Sequence, residues 1–250
     1  MQTSITYAPE KTLSAWPWLM LPARLILFAA LQGLLAVGLW LAGSPPAWDS
    51  AAAWWPFGVT ITNVVCVWLL VGRFRAEGRS FWALFRIRRQ DVRSDLWALL
   101  GVLLIAGPVA FLPNILLANW LFGDAQIALN LLVRPLPLWA AIFGLVLFPI
   151  TQGLAELPTY FGYAMPRLET NGVPRSLALA LPAAMLALQH LALPLVFDLR
   201  FIAWRALMFL PFAVLVAIVL HWRPRLLPYL AVVHVLMDVS FAAMLLSVVY

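Results

Sequence analysis

Four ionisable side chains interrupt otherwise apolar stretches in the second half of the sequence: Glu156, His190, His234 and Asp238. One carboxylate and two imidazoles form a set that can take a proton from water and hold the charge that develops on a substrate. Two histidines with two carboxylates are also an acceptable ligand set for zinc. These four residues are therefore the candidate site, either as catalytic groups or as metal ligands.

Helical spacing places some of these groups on common faces. His234 and Asp238, in "HVLMD", are four residues apart, so on a helix their side chains can touch. That contact would orient the imidazole or keep it cationic. Gln152 and Glu156 have the same spacing and share a face of another helix. We therefore expect three helices to present polar groups to one interior.

Each group taken alone has a plainer structural explanation. His190, next to Gln189 in "LALQHLALP", could be a hydrogen-bonded contact between helices. The pair in "HVLMD" could tie two parts of the bundle together, and Glu156 could serve proton coupling in a transporter. The combination favours activation of water, because all the groups needed for it occur on three successive polar-bearing helices.

The elements that must position these residues are predicted to be membrane-spanning helices. Hydrophobic residues make up 64% of the 250 positions and charged residues 10%, and the mean hydropathy is +0.95. Soluble domains are only about half apolar. We predict an all-α, polytopic transmembrane bundle that forms one domain over residues 1–250. Its seven spans are predicted at 24–42, 52–72, 96–118, 137–160, 176–197, 203–220 and 227–249.

The net charge of +6 comes from fifteen arginines and one lysine placed mostly between the apolar segments. Basic residues there set membrane orientation, so we expect the lipid bilayer as a partner and no nucleic acid. The segment 73–95 has seven arginines against three acids, which predicts that it and the N-terminus are cytoplasmic. An odd number of spans then places the C-terminus outside. Arg200 and Arg205 fit this orientation poorly, because both fall on the predicted outer side.

Local patterns add four smaller predictions. The stretch "SFWALFRIRRQ" interleaves aromatic residues with arginines, which is typical of a short helix in the headgroup region that anchors the fold or gates substrate entry. Ser94 and Asp95 are candidate N-caps of the third span. The single cysteine, Cys66, excludes an intramolecular disulfide. The first twenty residues show no removable signal peptide.

Three short motifs together resemble one family of membrane proteins. "ELPTYFGY", "LALQH" and "HVLMD" resemble the motifs of the CPBP family, which includes relatives of the type II CAAX prenyl endopeptidase and bacteriocin-processing and immunity proteins. The resemblance covers roughly residues 140–245, which would form the catalytic core. The matching positions are Glu156, Tyr160, Gly162, His190, His234 and Asp238.

The sequence departs from the family pattern at two linked positions. Leu157 stands where the family has a second glutamate, and Phe161 stands where it has an arginine. Losing both together avoids leaving one charge unpaired in an apolar interior. A third, milder departure is Leu186, which replaces a phenylalanine.

The resemblance implies an intramembrane endopeptidase with a metal-free glutamate mechanism. Glu156, helped by His190, would activate water, and His234 with Asp238 would hold the oxyanion; Gln152, Tyr160 and Gln189 would support them. The implied substrate is a membrane-associated or lipidated peptide, and the implied location is a bacterial inner membrane. The alternatives are a catalytically silent immunity or peptide-binding protein, a zinc-dependent enzyme, and a proton- or ion-coupled transporter.

Overall fold

The computed structural model describes residues 14–249, without the side chains of 245 and 247–249. Residues 1–13 lie outside the described residues. They include most of the first twenty positions, for which the sequence predicts no removable signal peptide. Regular structure between residues 14 and 249 is helical apart from one β-bridge, Ala192 to Leu195. The helices are α1 Trp16–Leu41, α2 Ala47–Ala53, α3 Trp55–Ala76, α4 Val92–Phe122, α5 Ala125–Leu132, α6 Leu138–Leu157, α7 Met165–Thr170, α8 Arg175–Leu188, α9 Leu199–Met208, α10 Leu210–Trp222 and α11 Leu227–Val249.

Six segments are long and apolar enough to cross a membrane, which confirms the prediction of an all-α polytopic bundle. They are Trp16–Leu41, Trp55–Ala76, Phe81–Phe122, Leu138–Thr170, Leu199–Trp222 and Pro224–Met244. Large apolar side chains face outward, with Trp40, Leu104 and Trp120 each more than 70% exposed. Such exposure suits contact with lipid chains.

The fifth predicted span, 176–197, has an irregular form. Its α-helix, α8, has 14 residues and is followed by a 3₁₀ turn at Gln189–Leu191. The passage still runs the length of the bundle: Asn171, just before α8, bonds the Ser14 carbonyl at the start of α1, whereas the Leu195 carbonyl accepts the Trp48 indole N–H. Within residues 14–249 the fifth apolar segment therefore connects the two ends of the bundle, although it is not one of the six segments with the length and hydropathy of a membrane-spanning helix.

Arg205 satisfies the backbone where this fifth passage loses its helix. The side chain is 5% exposed, and its guanidinium donates to the carbonyls of His190, at 3.1 Å, and Leu193, at 2.8 Å. Non-helical backbone at membrane depth needs such partners, since lipid offers none. Arg205 is thus an interior structural group, which explains its poor fit to the orientation rule. Arg200, by contrast, is largely exposed beside Asp198.

The predicted caps of the third span are wrong. α4 begins at Val92, after Asp91, and the Ser94 hydroxyl donates to the Asp91 carbonyl instead of capping a helix end. Asp95 is buried and pairs with Arg223 at 2.9 Å and Arg225 at 3.0 Å. The acid that sequence spacing assigned to a cap ties α4 to the turn between α10 and α11.

Two local features of α6 set the position of the candidate site. A π-helical segment, Pro158–Ala164, follows α6 directly. Gly153 allows close contact with α11, because a methyl group there would lie 2.4 Å from Cγ2 of Val235 and 3.0 Å from the Ala231 carbonyl oxygen. The absence of a side chain at Gly153 therefore lets α6 and α11 approach each other one turn before Glu156.

Candidate functional site

Glu156 lies at the end of α6 and is 3% exposed. Its Oε2 atom accepts hydrogen bonds from the Gln152 amide at 2.5 Å and from the Gln189 amide at 2.6 Å. The predicted shared face of Gln152 and Glu156 is confirmed. Gln189, which sequence analysis placed beside the site, reaches the same oxygen from the 3₁₀ turn after α8.

Arg24 on α1 is the charge partner of this carboxylate. The side chain is fully buried, and its NH2 nitrogen lies 3.8 Å from Oε2 of Glu156. The guanidinium donates to Gln189 Oε1 at 2.6 Å, to Asn63 Oδ1 at 2.6 Å and to Gln152 Oε1 at 2.9 Å. A planar guanidinium suits this task, since its five donors point along fixed directions. One arginine thus connects α1, α3, α6 and the turn after α8.

Arg24 and Asn63 are site residues that sequence reasoning missed. The predicted first span began at residue 24, which placed the arginine at the membrane boundary, but α1 begins at Trp16. The signal was present, because Arg24 follows a largely apolar run, "WPWLMLPA", and Asn63 interrupts "ITNVV". An ionisable or amide group inside an apolar segment seeks a polar partner in the interior.

His234 and Asp238 approach Glu156 from α11. The Nε2 atom of His234 lies 3.6 Å from Oε1 of Glu156 and 3.4 Å from Oδ2 of Asp238. The predicted contact between His234 and Asp238 is confirmed. Both side chains keep partial exposure, 19% and 16%, whereas Glu156 has almost none. The imidazole and Asp238 therefore form the accessible edge of the site, and Glu156 lies beneath them.

His190 lies beside this group without bonding to Glu156. Its Nδ1 atom is 2.9 Å from the Leu186 carbonyl, and its ring stacks on Phe209 with 3.8 Å between centroids. A carbonyl oxygen can only accept, so we assign the proton to Nδ1, which leaves Nε2 as an acceptor in the neutral ring. Contacts thus join three of the four predicted residues, and His190 adjoins them through Gln189.

Tyr160 and the two departing positions lie around the site. The Tyr160 hydroxyl is buried and donates to Gln189 Oε1 at 3.4 Å, so this supporting residue belongs to the polar network. Leu157 and Phe161 are buried in the main apolar cluster of the bundle, which also contains Leu186. The positions at which the resembled family carries an acid and a base are here filled by apolar packing.

The residues between 14 and 249 contain no group of three or more His, Cys, Asp and Glu side chains placed to hold a metal ion. The reason is visible in the contacts. Oε2 of Glu156 is occupied by two amides, and His234 turns one nitrogen toward both carboxylates. As placed, these side chains do not form the zinc site that their types allow.

A small cavity lies along the same pair of helices, toward the opposite end of the bundle. Its volume is about 60 Å³, and its lining includes Trp55 of α3, Gly144 and Phe148 of α6, and Ala242 of α11. None of the four candidate residues lines it. The candidate site is therefore the polar group around Glu156 and does not include this cavity.

The arrangement can abstract a proton and stabilise a developing negative charge. Glu156 has one oxygen fixed by amides and a second that faces His234. A carboxylate held in this way can act as a base at its remaining oxygen, and an imidazole N–H can donate to an oxyanion. Comparison with family models, curated proteins and solved structures finds no match to this chain.

Proposed function

We propose that this chain is an intramembrane endopeptidase of the CPBP type that hydrolyses a peptide bond of a membrane-associated or lipidated peptide. The proposal rests on two contacts of His234. Its Nε2 atom lies 3.6 Å from Oε1 of Glu156 and 3.4 Å from Oδ2 of Asp238. The membrane-spanning bundle and the motif resemblance support a substrate that reaches the site from the lipid. A bacterial inner membrane is the proposed location.

In the proposed reaction, Oε1 of Glu156 takes a proton from water as the water oxygen bonds to the scissile carbonyl carbon. The His234 N–H donates to the oxygen that becomes negative, and Asp238 holds the imidazole in the protonated form. Collapse of the tetrahedral intermediate breaks the carbon–nitrogen bond, and the proton on Glu156 passes to the leaving amine. His190 would assist by accepting a hydrogen bond from the attacking water.

Arg24 would position the base in this reaction. Its charge compensates that of Glu156, and its bonds to Gln189 and Gln152 hold the two amides that fix Oε2. A preorganised base loses little freedom when substrate binds. In the resembled family a second acid and an arginine follow the first glutamate, whereas here α1 would provide the charge.

A second candidate function is a catalytically silent immunity or peptide-binding protein. Two observations favour it: Leu157 and Phe161 are packed as core residues, and Oε2 of Glu156 is already occupied by two amides. In this case the polar group would stabilise the bundle, and the accessible edge at His234 would contact a bound peptide without cleaving it.

The test is a proteolysis assay on a library of membrane-inserted peptides, with products identified by mass spectrometry. Purified chain in liposomes is compared with Glu156→Gln and His190→Ala. Loss of a general base lowers rates by about 10²- to 10⁴-fold, so Glu156→Gln should abolish detectable cleavage. Glu169→Gln is the matched control, because Glu169 pairs with His221 outside the site. If wild type cleaves no more than Glu156→Gln does, the binding function replaces the enzymatic one.

A further inference from the structure

The segment 73–95 carries arginines whose charge no carboxylate of the described chain neutralises. Seven arginines and three acids occur in it. Arg73 lies over the Trp16 ring, 4.5 Å from its centroid. Within residues 14–249, the other six make no ion pair with an acid; they are Arg75, Arg79, Arg86, Arg88, Arg89 and Arg93. All six are exposed.

The three acids of the segment are engaged by arginines from distant parts of the chain. The pairs are Glu77 with Arg167, Asp91 with Arg225, and Asp95 with Arg223 and Arg225. The acids of the segment therefore neutralise arginines of other elements and not the arginines of the segment itself. A solvated basic segment normally interleaves its own acids and bases, whereas this one presents uncompensated positive charge.

The segment is also fixed in place against the bundle. Its 3₁₀ turn, Phe81–Phe85, buries Phe81 with Phe74 and Tyr163, and Leu84 packs over Gly162. The opposite side of the turn leaves Trp82 57% exposed, and Ile87, just after it, is 50% exposed. Aromatic and apolar side chains among basic residues are typical of the lipid–water interface, where the ring lies at headgroup level.

We propose that Arg86, Arg88 and Arg89 form a binding site for the headgroup of an anionic phospholipid. The three side chains, with Gln90, line one open depression on this surface. A guanidinium group can donate two parallel hydrogen bonds to the oxygens of one phosphate. Clusters of basic residues beside a membrane helix attract anionic lipids. Trp82 and Ile87 would contact the upper part of the acyl chains. This binding is independent of peptide hydrolysis.

The experiment titrates purified full-length chain in a neutral detergent with phosphatidylglycerol, or with phosphatidylcholine of the same acyl chains. Lipid adducts are counted by native mass spectrometry, and the thermal midpoint is followed in parallel. We expect phosphatidylglycerol to bind and raise the midpoint, and phosphatidylcholine to do neither. The triple variant Arg86→Gln/Arg88→Gln/Arg89→Gln should weaken phosphatidylglycerol binding about tenfold or more. Arg175→Gln is the control and should bind like wild type, since Arg175 is exposed and forms no ion pair with a carboxylate within residues 14–249.

Three results would overturn the proposal. The first is that wild type binds the two lipids equally. The second is that the triple variant binds phosphatidylglycerol as wild type does, while its thermal midpoint in phosphatidylcholine equals that of wild type and shows that it is folded. The third is stabilisation by inorganic phosphate to the extent given by phosphatidylglycerol, which would assign the site to a soluble anion. If the triple variant does not fold, the salt dependence of wild type decides: binding that does not weaken with salt excludes an arginine-phosphate site.

Discussion

Glu156 is almost completely buried in a membrane-spanning bundle, and an ionised carboxylate there needs a positive partner and hydrogen-bond donors. Arg24 and the amides of Gln152 and Gln189 meet both needs. The resembled family carries an arginine shortly after this glutamate, at the position that Phe161 occupies in this chain. The compensation therefore comes from α1, a part of the chain that the motif resemblance does not cover.

This pairing predicts a specific pattern of stabilities. Arg24→Met leaves the buried Glu156 charge without compensation, and breaking such a pair costs about 3–5 kcal/mol, so the thermal midpoint in mild detergent should fall. Adding Glu156→Gln to Arg24→Met removes the stranded charge and should restore part of the loss. Equal midpoints for the single and double variants would show that the charge of Glu156 does not depend on Arg24.

At this scale the sequence predicted contacts within one helix, and it predicted that polar groups of three helices share one interior, but it missed the contacts of Arg24. His234 with Asp238 and Gln152 with Glu156 could be predicted because four-residue spacing fixes side-chain neighbours on a helix. Arg24 could not be paired with Glu156, since no local rule links residues on α1 and α6. His190 illustrates the same limit, because its ring turned toward Phe209 and the Leu186 carbonyl, not toward Glu156.

Among the elements, the contact between α6 and α11 determines whether His234 reaches Glu156. Gly153→Ala would place a methyl group against Val235 and the Ala231 carbonyl, and such overpacking typically costs about 1–3 kcal/mol. We expect a lower thermal midpoint and, if the proposed activity holds, weaker cleavage. Gly33→Ala is the matched control, since nothing lies within 4 Å of the added methyl group, and it should not lower the midpoint. Equal behaviour of the two variants would contradict this packing argument.

The irregular end of the fifth passage depends on hydrogen bonds from Arg205 of α9. Arg205→Met removes the partner of the Leu193 carbonyl and one of two donors to the His190 carbonyl. An unsatisfied buried carbonyl costs about 1–3 kcal/mol, so this variant should unfold at a lower temperature. Arg200→Gln, at an exposed position of the same helix, should change the midpoint little. A midpoint for Arg205→Met equal to that of wild type would mean that water replaces the guanidinium.

Hydropathy predicted the long helices well and the fifth passage poorly. The segment 176–197 is apolar enough to suggest one helix, but hydropathy does not report whether a backbone carbonyl has a partner. The departure from helix after Leu188 is stable because Arg205 supplies donors from another element. Asp95 likewise depends on another element, since its pairing with Arg223 and Arg225 outweighs its propensity to cap a helix.

For the whole molecule, the described contacts separate two ends of the bundle. The segment 73–95, α7 and the turn between α10 and α11 meet at one end, where salt bridges link them. At the other end, Asp49 pairs with Arg134, and Trp48 stacks on Phe197. Basic residues concentrate at the first end, so the positive-inside rule predicts that this end faces the cytoplasm.

Cysteine labelling in intact cells tests this orientation. In a Cys66→Ala background, a cysteine introduced at Ser44 should react with a membrane-impermeant maleimide, and one introduced at Ser80 should react only after the membrane is broken. Both positions are exposed, so packing alone should not block either reaction. Labelling of Ser80→Cys from outside would reverse the predicted orientation.

The pairing of Arg24 with residues of α6 also has a consequence for biosynthesis. Gln152 is synthesised 128 residues after Arg24, a delay on the order of ten seconds at common rates of translation. During that interval Arg24 can bond to Asn63 of α3, but Glu156, Gln152 and Gln189 do not yet exist, so its charge has no carboxylate partner. Because an unpaired charge in lipid is costly, we expect nascent α1 to stay in a hydrated or protein-lined environment until α6 emerges. A chain truncated before α6 would lack Glu156, so we expect its first helix to be less stable in the membrane than that of the full chain.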